Sequence, residues 1–204
     1  MQVTVFGASG KVGSRVIREL VQRGHSVVAF VHSHQLPASD GVRSVQGDIY
    51  DRASVEAALI GSQAVISTLG SWGTHEKNVL STAMEKIIPA MEARGITRII
   101  TVTGNVAAAP GDRSSLQATV SRALFNGIAP KILRDAEDHI ARLAASQLSW
   151  TVLRSPVMVN GGLKYQLADH GGSVVMSRQA VAQAMVDLVE TNDWSRQAPY
   201  LKRG

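Results

Sequence analysis

The sequence predicts an α/β protein: a doubly wound parallel sheet with helices on both faces and a small C-terminal extension on the substrate side. Three observations predict it. Short runs rich in Val, Ile and Thr alternate with longer segments of helical period, the pattern of successive βαβ units. Gly7, Gly10 and Gly13 stand directly after the first such run and open the first helical segment. With 204 residues, 45% of them hydrophobic, the chain has the material for one continuous core, and residues 1–204 are expected to form one domain.

Strands are expected over 2–6, 26–31, 43–46, 64–68, 98–103 and 151–154, as buried runs bounded by turn residues. Between the first two, Val12, Val16, Ile17, Leu20 and Val21 recur at helical spacing and Gly24 ends the helix. Further helices are expected over 53–59, 75–93, 131–146 and 178–190, with Gly61 and Gly95 where C-caps would stand. Segment 104–127 reads as a loop through Pro110-Gly111 followed by a helix around 116–125. Because it follows the C-terminal end of a strand, it is a candidate substrate lid.

Composition removes several function classes. The chain has no cysteine, which excludes disulfide scaffolds, thiolate metal sites and cysteine nucleophiles together. Its charge of +5 is dispersed over a chain only 18% charged, so a general bias toward anions is expected and nucleic-acid binding is not. Residues 1–6 lead straight into the glycine segment without the layout of a secretory signal, and no apolar run is long enough to span a bilayer. A cytoplasmic protein without membrane contact is therefore expected.

The glycine segment Gly7-Ala8-Ser9-Gly10-Lys11-Val12-Gly13 carries the most chemistry. In a strand-turn-helix junction the first glycine allows a tight turn, the second lets the backbone approach a pyrophosphate, and the third lets helix and strand pack closely. The free N–H groups of the helix N-terminus then face phosphate oxygens. Ser9 adds a candidate hydroxyl donor and Lys11 a candidate ammonium. This is the Rossmann dinucleotide-binding pattern.

NAD-selective sites carry an acidic residue at the end of the second strand, where it holds the ribose hydroxyls. Here that place reads Phe30-Val31-His32-Ser33-His34, with no carboxylate to repel a 2′-phosphate. NADP(H) is accordingly expected over NAD(H), with His32, Ser33 and Arg15 as candidate phosphate holders; an exposed loop without a ligand is the alternative. In Gly47-Asp48-Ile49-Tyr50-Asp51, Asp48 is either an acceptor for the adenine amino group or a turn residue, Ile49 is a candidate cover for the ring, and Asp51 is a helix cap.

The chain resembles the NAD(P)H-binding, NmrA-like branch of the atypical short-chain dehydrogenase/reductases, the group that includes the biliverdin-IXβ (flavin) reductases. The blocks that carry the resemblance are the glycine segment, residues 47–51, Gly61-Ser62-Gln63-Ala64-Val65-Ile66, Leu148-Ser149-Trp150-Thr151-Val152-Leu153-Arg154-Ser155-Pro156, and the junction around Met176-Ser177-Arg178. The resemblance implies cofactor contacts at Thr68, Leu69 and Gly70, at Thr103, and at Pro156, Val157 and Met158. It also implies a reductase of a small planar acceptor such as a flavin, quinone or related carbonyl compound.

The departures from the pattern matter. The larger superfamily uses a Tyr-x-x-x-Lys pair, yet Tyr50, Tyr165 and Tyr200 are followed four places on by Ser54, Asp169 and Gly204. Flavin reductase-like members offer a serine after the fifth strand and a histidine near the late proline, where this chain has Gly104 and Val157. Thr103 is the candidate catalytic hydroxyl that remains. A non-catalytic NADP(H)-sensing regulatory protein is thus the alternative function, and a nucleotide-sugar epimerase is a weaker third for want of that tyrosine and of a full substrate domain.

Trp72 and Asn105 are candidate substrate contacts, Trp72 serving equally well as packing or a surface anchor. Asp135, Glu137, Asp138 and His139 include a carboxylate and an imidazole one helical turn apart, but with no second ligand cluster they are read as a solvated helix face and no metal is expected. No Gly-x-Ser-x-Gly elbow occurs, which disfavours a hydrolase.

Overall fold

The computed structural model describes residues 1–33, 36, 39–112 and 116–204. In chain order the elements are β1 (Gln2–Phe6), α1 (Gly13–Gln22), β2 (Ser26–Val31), β3 (Val42–Gln46), α2 (Arg52–Ala58), β4 (Ala64–Ser67), α3 (Val79–Glu92), β5 (Arg98–Gly104), α4 (Leu116–Ile128), α5 (Pro130–Ala145), β6 (Ser149–Ser155), β7 (Val157–Val159), β8 (Tyr165–Ala168), β9 (Val175–Ser177), α6 (Arg178–Glu190) and β10 (Tyr200–Arg203). The main sheet runs β3-β2-β1-β4-β5-β6-β10-β8 and is parallel except where β8 pairs antiparallel with β10. The strand order reverses between β1 and β4, so the C-terminal ends of those two strands form the crevice where ligands bind in open α/β sheets.

Burial on two faces explains the near-continuous apolar strands. Along β2, Val27, Ala29 and Val31 face α1 and α6, while Val28 and Phe30 face the layer of α2, α3 and α5. The period-2 alternation of a strand thus feeds two cores at once. Helix α1 turns Val16, Ile17 and Leu20 inward, and α2 is capped by Asp51, whose carboxylate accepts from Ala53 N (3.2 Å) and Ser54 N (3.1 Å).

The structure departs from the sequence expectations in three places. The helix expected from 75 begins at Val79, because residues 71–78 fold as turns stapled by side-chain bonds such as Thr74 Oγ1 to Ser71 O (2.8 Å). Strands β7, β8 and β10 were not anticipated, and β9 entered only as the strand end of the junction around Met176-Ser177-Arg178: β10, Tyr-Leu-Lys-Arg, has two charged residues in four and becomes a strand through pairing with β8 at Leu201↔Leu167 and Lys202↔Gln166.

The third correction concerns Asp135 and His139. They do not lie on a solvated face; their relative exposures are 3% and 0%. Asp135 reaches from α5 to the N-terminus of α3, accepting from Leu80 N (3.0 Å), Ser81 N (2.8 Å), Ser81 Oγ (2.6 Å) and Ser71 Oγ. It caps a neighbouring helix in place of that helix's own N-cap residue, Asn78, which makes no capping side-chain bond. His139 Nε2 bonds Thr101 Oγ1 at 2.8 Å under the sheet. Among the described residues no three His, Asp or Glu side chains are grouped to hold a metal.

Burial pushes the His139 imidazole down to about 4, the Asp135 charge opposing this only in part. Because the unfolded chain takes up this proton near the ordinary histidine value, stability is whole above about pH 6.5 and falls as pH drops toward 4. The loss from this one group is expected to approach roughly 3 kcal/mol. Urea unfolding from pH 7 to pH 4 checks it: His139→Gln, which does not titrate there, should show a flatter decline than the parent protein.

Candidate functional site

The turn between β1 and α1 is shaped by its glycines. Gly7 adopts φ +77°, and a Cβ there would stand 2.8 Å from Thr68 Oγ1 and 3.0 Å from Leu69 N. A Cβ on Gly13 would lie 2.1 Å from the Gly7 carbonyl oxygen, an impossible contact, so only glycine lets α1 start this close to the strand end. Gly7 O accepts from Gly10 N (3.0 Å) and from Thr68 Oγ1 (3.1 Å), tying the turn to the end of β4. Thr68 thus shapes the turn from beneath. Its hydroxyl bonds Phe6 O and Gly7 O.

Above the turn, Ser9, Gly10 and Lys11 are exposed, and α1 has neither a capping side chain at Val12 nor an acidic residue in its first turn. Ser14 N and Arg15 N are taken up by Gly10 O (3.0 Å) and Val12 O (2.9 Å), but among the described residues Lys11 N, Val12 N and Gly13 N have no backbone partner, so these donors and the positive dipole end are open to an anion. Arg15 folds back on the Lys11 carbonyl (2.5 Å). The narrow glycine cradle and the open donors fit a dinucleotide pyrophosphate.

The other expected contacts lie along the same C-terminal edge of the sheet. His32 and Ser33 follow β2 and are exposed, while His34 lies outside the described residues. Asp48 bonds Tyr50 N (2.9 Å) as a turn residue and holds a carboxylate oxygen 3.8 Å from His32 Nε2. A carboxylate from beyond β3 therefore stands near the place left vacant by the missing acid after β2. Ile49, only 9% exposed, packs with Phe30 and Val55 and turns little surface outward. Leu69 and Gly70 follow β4; Thr103, 8% exposed, sits beside Arg154 near the end of β5; buried Pro156 and exposed Val157 follow β6.

Beyond the ends of β5 and β6 opens a cavity of about 620 Å³ whose walls include Asn105, Val157, Tyr200 and the loop Asp169–Val174. One side is helix α4, the helix expected around 116–125, which presents Ala118, Ser121 and Arg122; residues 113–115 lie outside the described set. Asn105 is thus brought to the cavity. Trp72 is not on its wall: it is 69% exposed and its ring lies 6.3 Å from Phe125.

The arginines that shape this region were not singled out in the sequence. Arg154, 2% exposed in β6, makes a two-pronged pair with Asp112 (2.6 and 2.7 Å), donates to Ala198 O (2.7 Å) and stacks 3.7 Å from the Tyr200 ring centre. It anchors the loop that leads into α4. Arg122 of α4 pairs in the same way with Glu137 of α5 (2.6 and 2.7 Å), which also accepts from Ala108 N. The available signal was an arginine inside the apolar run Thr-Val-Leu-Arg-Ser, where an unpaired charge would be costly. Burial raises the Tyr200 phenol above its ordinary value, against the opposing Arg154 charge.

A glycine turn beneath an open helix N-terminus, at the switch point of a sheet ordered β3-β2-β1-β4-β5-β6, defines a Rossmann-type dinucleotide-binding protein. Within that class the chain belongs to the NAD(P)H-binding family, whose model matches residues 7–192. It is similar to a 2-alkyl-3-oxoalkanoate reductase of Stenotrophomonas maltophilia, 37% identical over 109 residues that make up 49% of this chain and 32% of that protein. The chain thus spans about a third of that relative's length. In fold it is similar to a short-chain dehydrogenase/reductase from Veillonella parvula in complex with NADP (TM-score 0.80, 17% identity, 99% of this chain and 94% of the other). It is likewise similar to an anaerobillin reductase from Escherichia coli O157:H7 (TM-score 0.76, 24% identity, 100% and 97%). Among the described residues no helix is long and apolar enough to cross a membrane.

Proposed function

We propose that the protein is an NADPH-dependent reductase of a small planar acceptor, of the flavin, quinone or related carbonyl class. The observation that carries the reading is the arrangement along one sheet edge: the glycine cradle lies at β1, and the 620 Å³ cavity opens where β5 and β6 end, bounded by Asn105 and Val157. A dinucleotide with its pyrophosphate on α1 would lay its nicotinamide toward that cavity. When bound, the reduced nicotinamide supplies a hydride. The chain's own part is to hold the diphosphate on main-chain N–H groups, to place Thr103 and Pro156 beside the ring, and to shelter the acceptor under α4. The reductase relatives named above support the reaction class.

Preference for NADPH over NADH rests on the absence of a carboxylate immediately after β2 and on His32 and Ser33 in its place. The test is loss of nicotinamide absorbance when the protein is mixed with NADPH and flavin mononucleotide, a naphthoquinone or a conjugated carbonyl compound. Oxidation with at least one acceptor is expected. Tight NADPH binding with no turnover of any acceptor would overturn the reductase reading and leave a regulatory sensor. Gly10→Asp, which sets a carboxylate in the pyrophosphate path, is expected to weaken NADPH binding at least 100-fold by calorimetry, about 3 kcal/mol; unchanged affinity would refute the placement.

A further inference from the structure

The pattern Tyr-x-x-x-Lys is absent, so a reductase built on this chain needs another proton source. The cavity walls narrow the choice. The carboxylate of Asp112 is taken up by Arg154, and the guanidinium of Arg122 by Glu137. Serine and threonine hydroxyls are too weakly acidic to serve, and arginine does not give up its proton. Among the described residues two side chains on the wall remain with a transferable proton: the Tyr200 phenol and the His170 imidazole.

His170 stands on the loop between β8 and β9, with its Nδ1 against the Asp169 carboxylate. A carboxylate can only accept, so Nδ1 donates and the ring is oriented with Nε2 pointing away from Asp169. Among the described residues Nε2 has no hydrogen-bond partner. The loop itself is pressed against the end of β5: Asn105 Nδ2 donates to Ser173 O (3.4 Å), and a Cβ on Gly172 would stand 3.2 Å from Asn105 Nδ2 and 3.6 Å from Tyr200 Cδ1. His170 comes to the cavity wall with this loop, its side chain 73% exposed. The ammonium of Lys202 also lies by this loop, 3.8 Å from where a Gly171 Cβ would be.

We propose that His170 is the proton donor of the reaction, with Asp169 as its positioning residue. This rests on the reductase reading above. In the step, the acceptor's electrophilic carbon forms a C–H bond with the hydride given by NADPH, and the electron pair displaced onto its heteroatom forms an N–H or O–H bond with the proton of His170 Nε2. The acceptor gains two electrons and two hydrogens, NADPH leaves as NADP⁺, and neutral His170 regains its proton from water. Histidine is the side chain most often used to transfer a proton to a reacting heteroatom within hydrogen-bond reach. Tyr200 is the poorer acid because burial strengthens its hold on the proton.

The experiment uses the full chain with NADPH and the best acceptor of the panel. His170→Gln is expected to lower kcat about 100-fold while leaving the NADPH Kd and the melting temperature unchanged, and to abolish the high-pH fall in kcat. Asp169→Asn should lower kcat about 10-fold, an intermediate loss suited to an orienting group. Independently of turnover, adding flavin mononucleotide alone should shift the His170 ring resonances in NMR spectra of the cofactor-free protein. The proposal is overturned if His170→Gln keeps kcat within threefold, if Tyr200→Phe rather than His170→Gln removes turnover, or if the ring resonances do not move. In those cases the reductase reading survives, whereas a parent protein that binds NADPH but oxidises none sinks both.

Discussion

Gly13→Ala is expected to lose detectable NADPH binding in calorimetry and to lower the stability of the fold by about 3 kcal/mol. The added methyl would sit 2.1 Å from Gly7 O and 2.9 Å from Gly7 C, both backbone atoms, and 2.9 Å from Thr68 Oγ1, which is itself bonded to Phe6 O and Gly7 O. To relieve the contact, the Gly7 carbonyl must turn. That breaks its bonds from Gly10 N and Thr68 Oγ1, and with them the cradle that presents the N–H groups of Lys11, Val12 and Gly13. Gly10→Ala supplies the contrast: its Cβ meets only Gly7 O, at 3.0 Å, so a shift of a few tenths of an ångström suffices. Paired thermal melts and titrations of the two variants check this, and equal behaviour would show that the turn does not depend on close packing at Gly13.

Asp135→Ala is expected to cost about 3 to 5 kcal/mol, more than an ordinary surface cap, because it strands a set of buried donors. Leu80 N, Ser81 N and the hydroxyls of Ser71 and Ser81 all converge on this one carboxylate. Without it they face an apolar interior, and the first turn of α3 and the loop after β4 should loosen together. Asp135→Asn keeps an acceptor oxygen but turns an NH₂ group toward a donor, so an intermediate loss is expected. Urea denaturation gives the comparison. Hydrogen exchange at Leu80 and Ser81 should quicken selectively in both variants, and protection unchanged from the parent would refute the cap.

The strands from β1 to β6 and the glycine turn were legible because they follow from local rules. A strand covered on both faces must be apolar along its length, and a backbone forced against a neighbour must lack a Cβ. Asp51 as a cap was equally local, three residues from the N–H group it meets. The errors arose where a residue's role depends on distant partners. Asp135 and His139 have the spacing of an exposed helix face, yet Ser81 and Thr101, 54 and 38 residues away, receive them in the interior. Residues 200–203, half of them charged, match no buried-strand pattern, and pairing with β8 makes them a strand.

Read alone, the chain determined the class of fold, the turn that fits a diphosphate and the lack of the usual tyrosine-lysine pair, since each is written in adjacent residues. The tertiary structure alone decided that Arg154 grips Asp112, that Asp48 approaches His32, and that His170 meets the cavity beyond β5. The physical reason is that pattern and sterics act over a few residues. Charge pairing and cavity walls depend on which loops the sheet brings to one edge, and no local pattern records that.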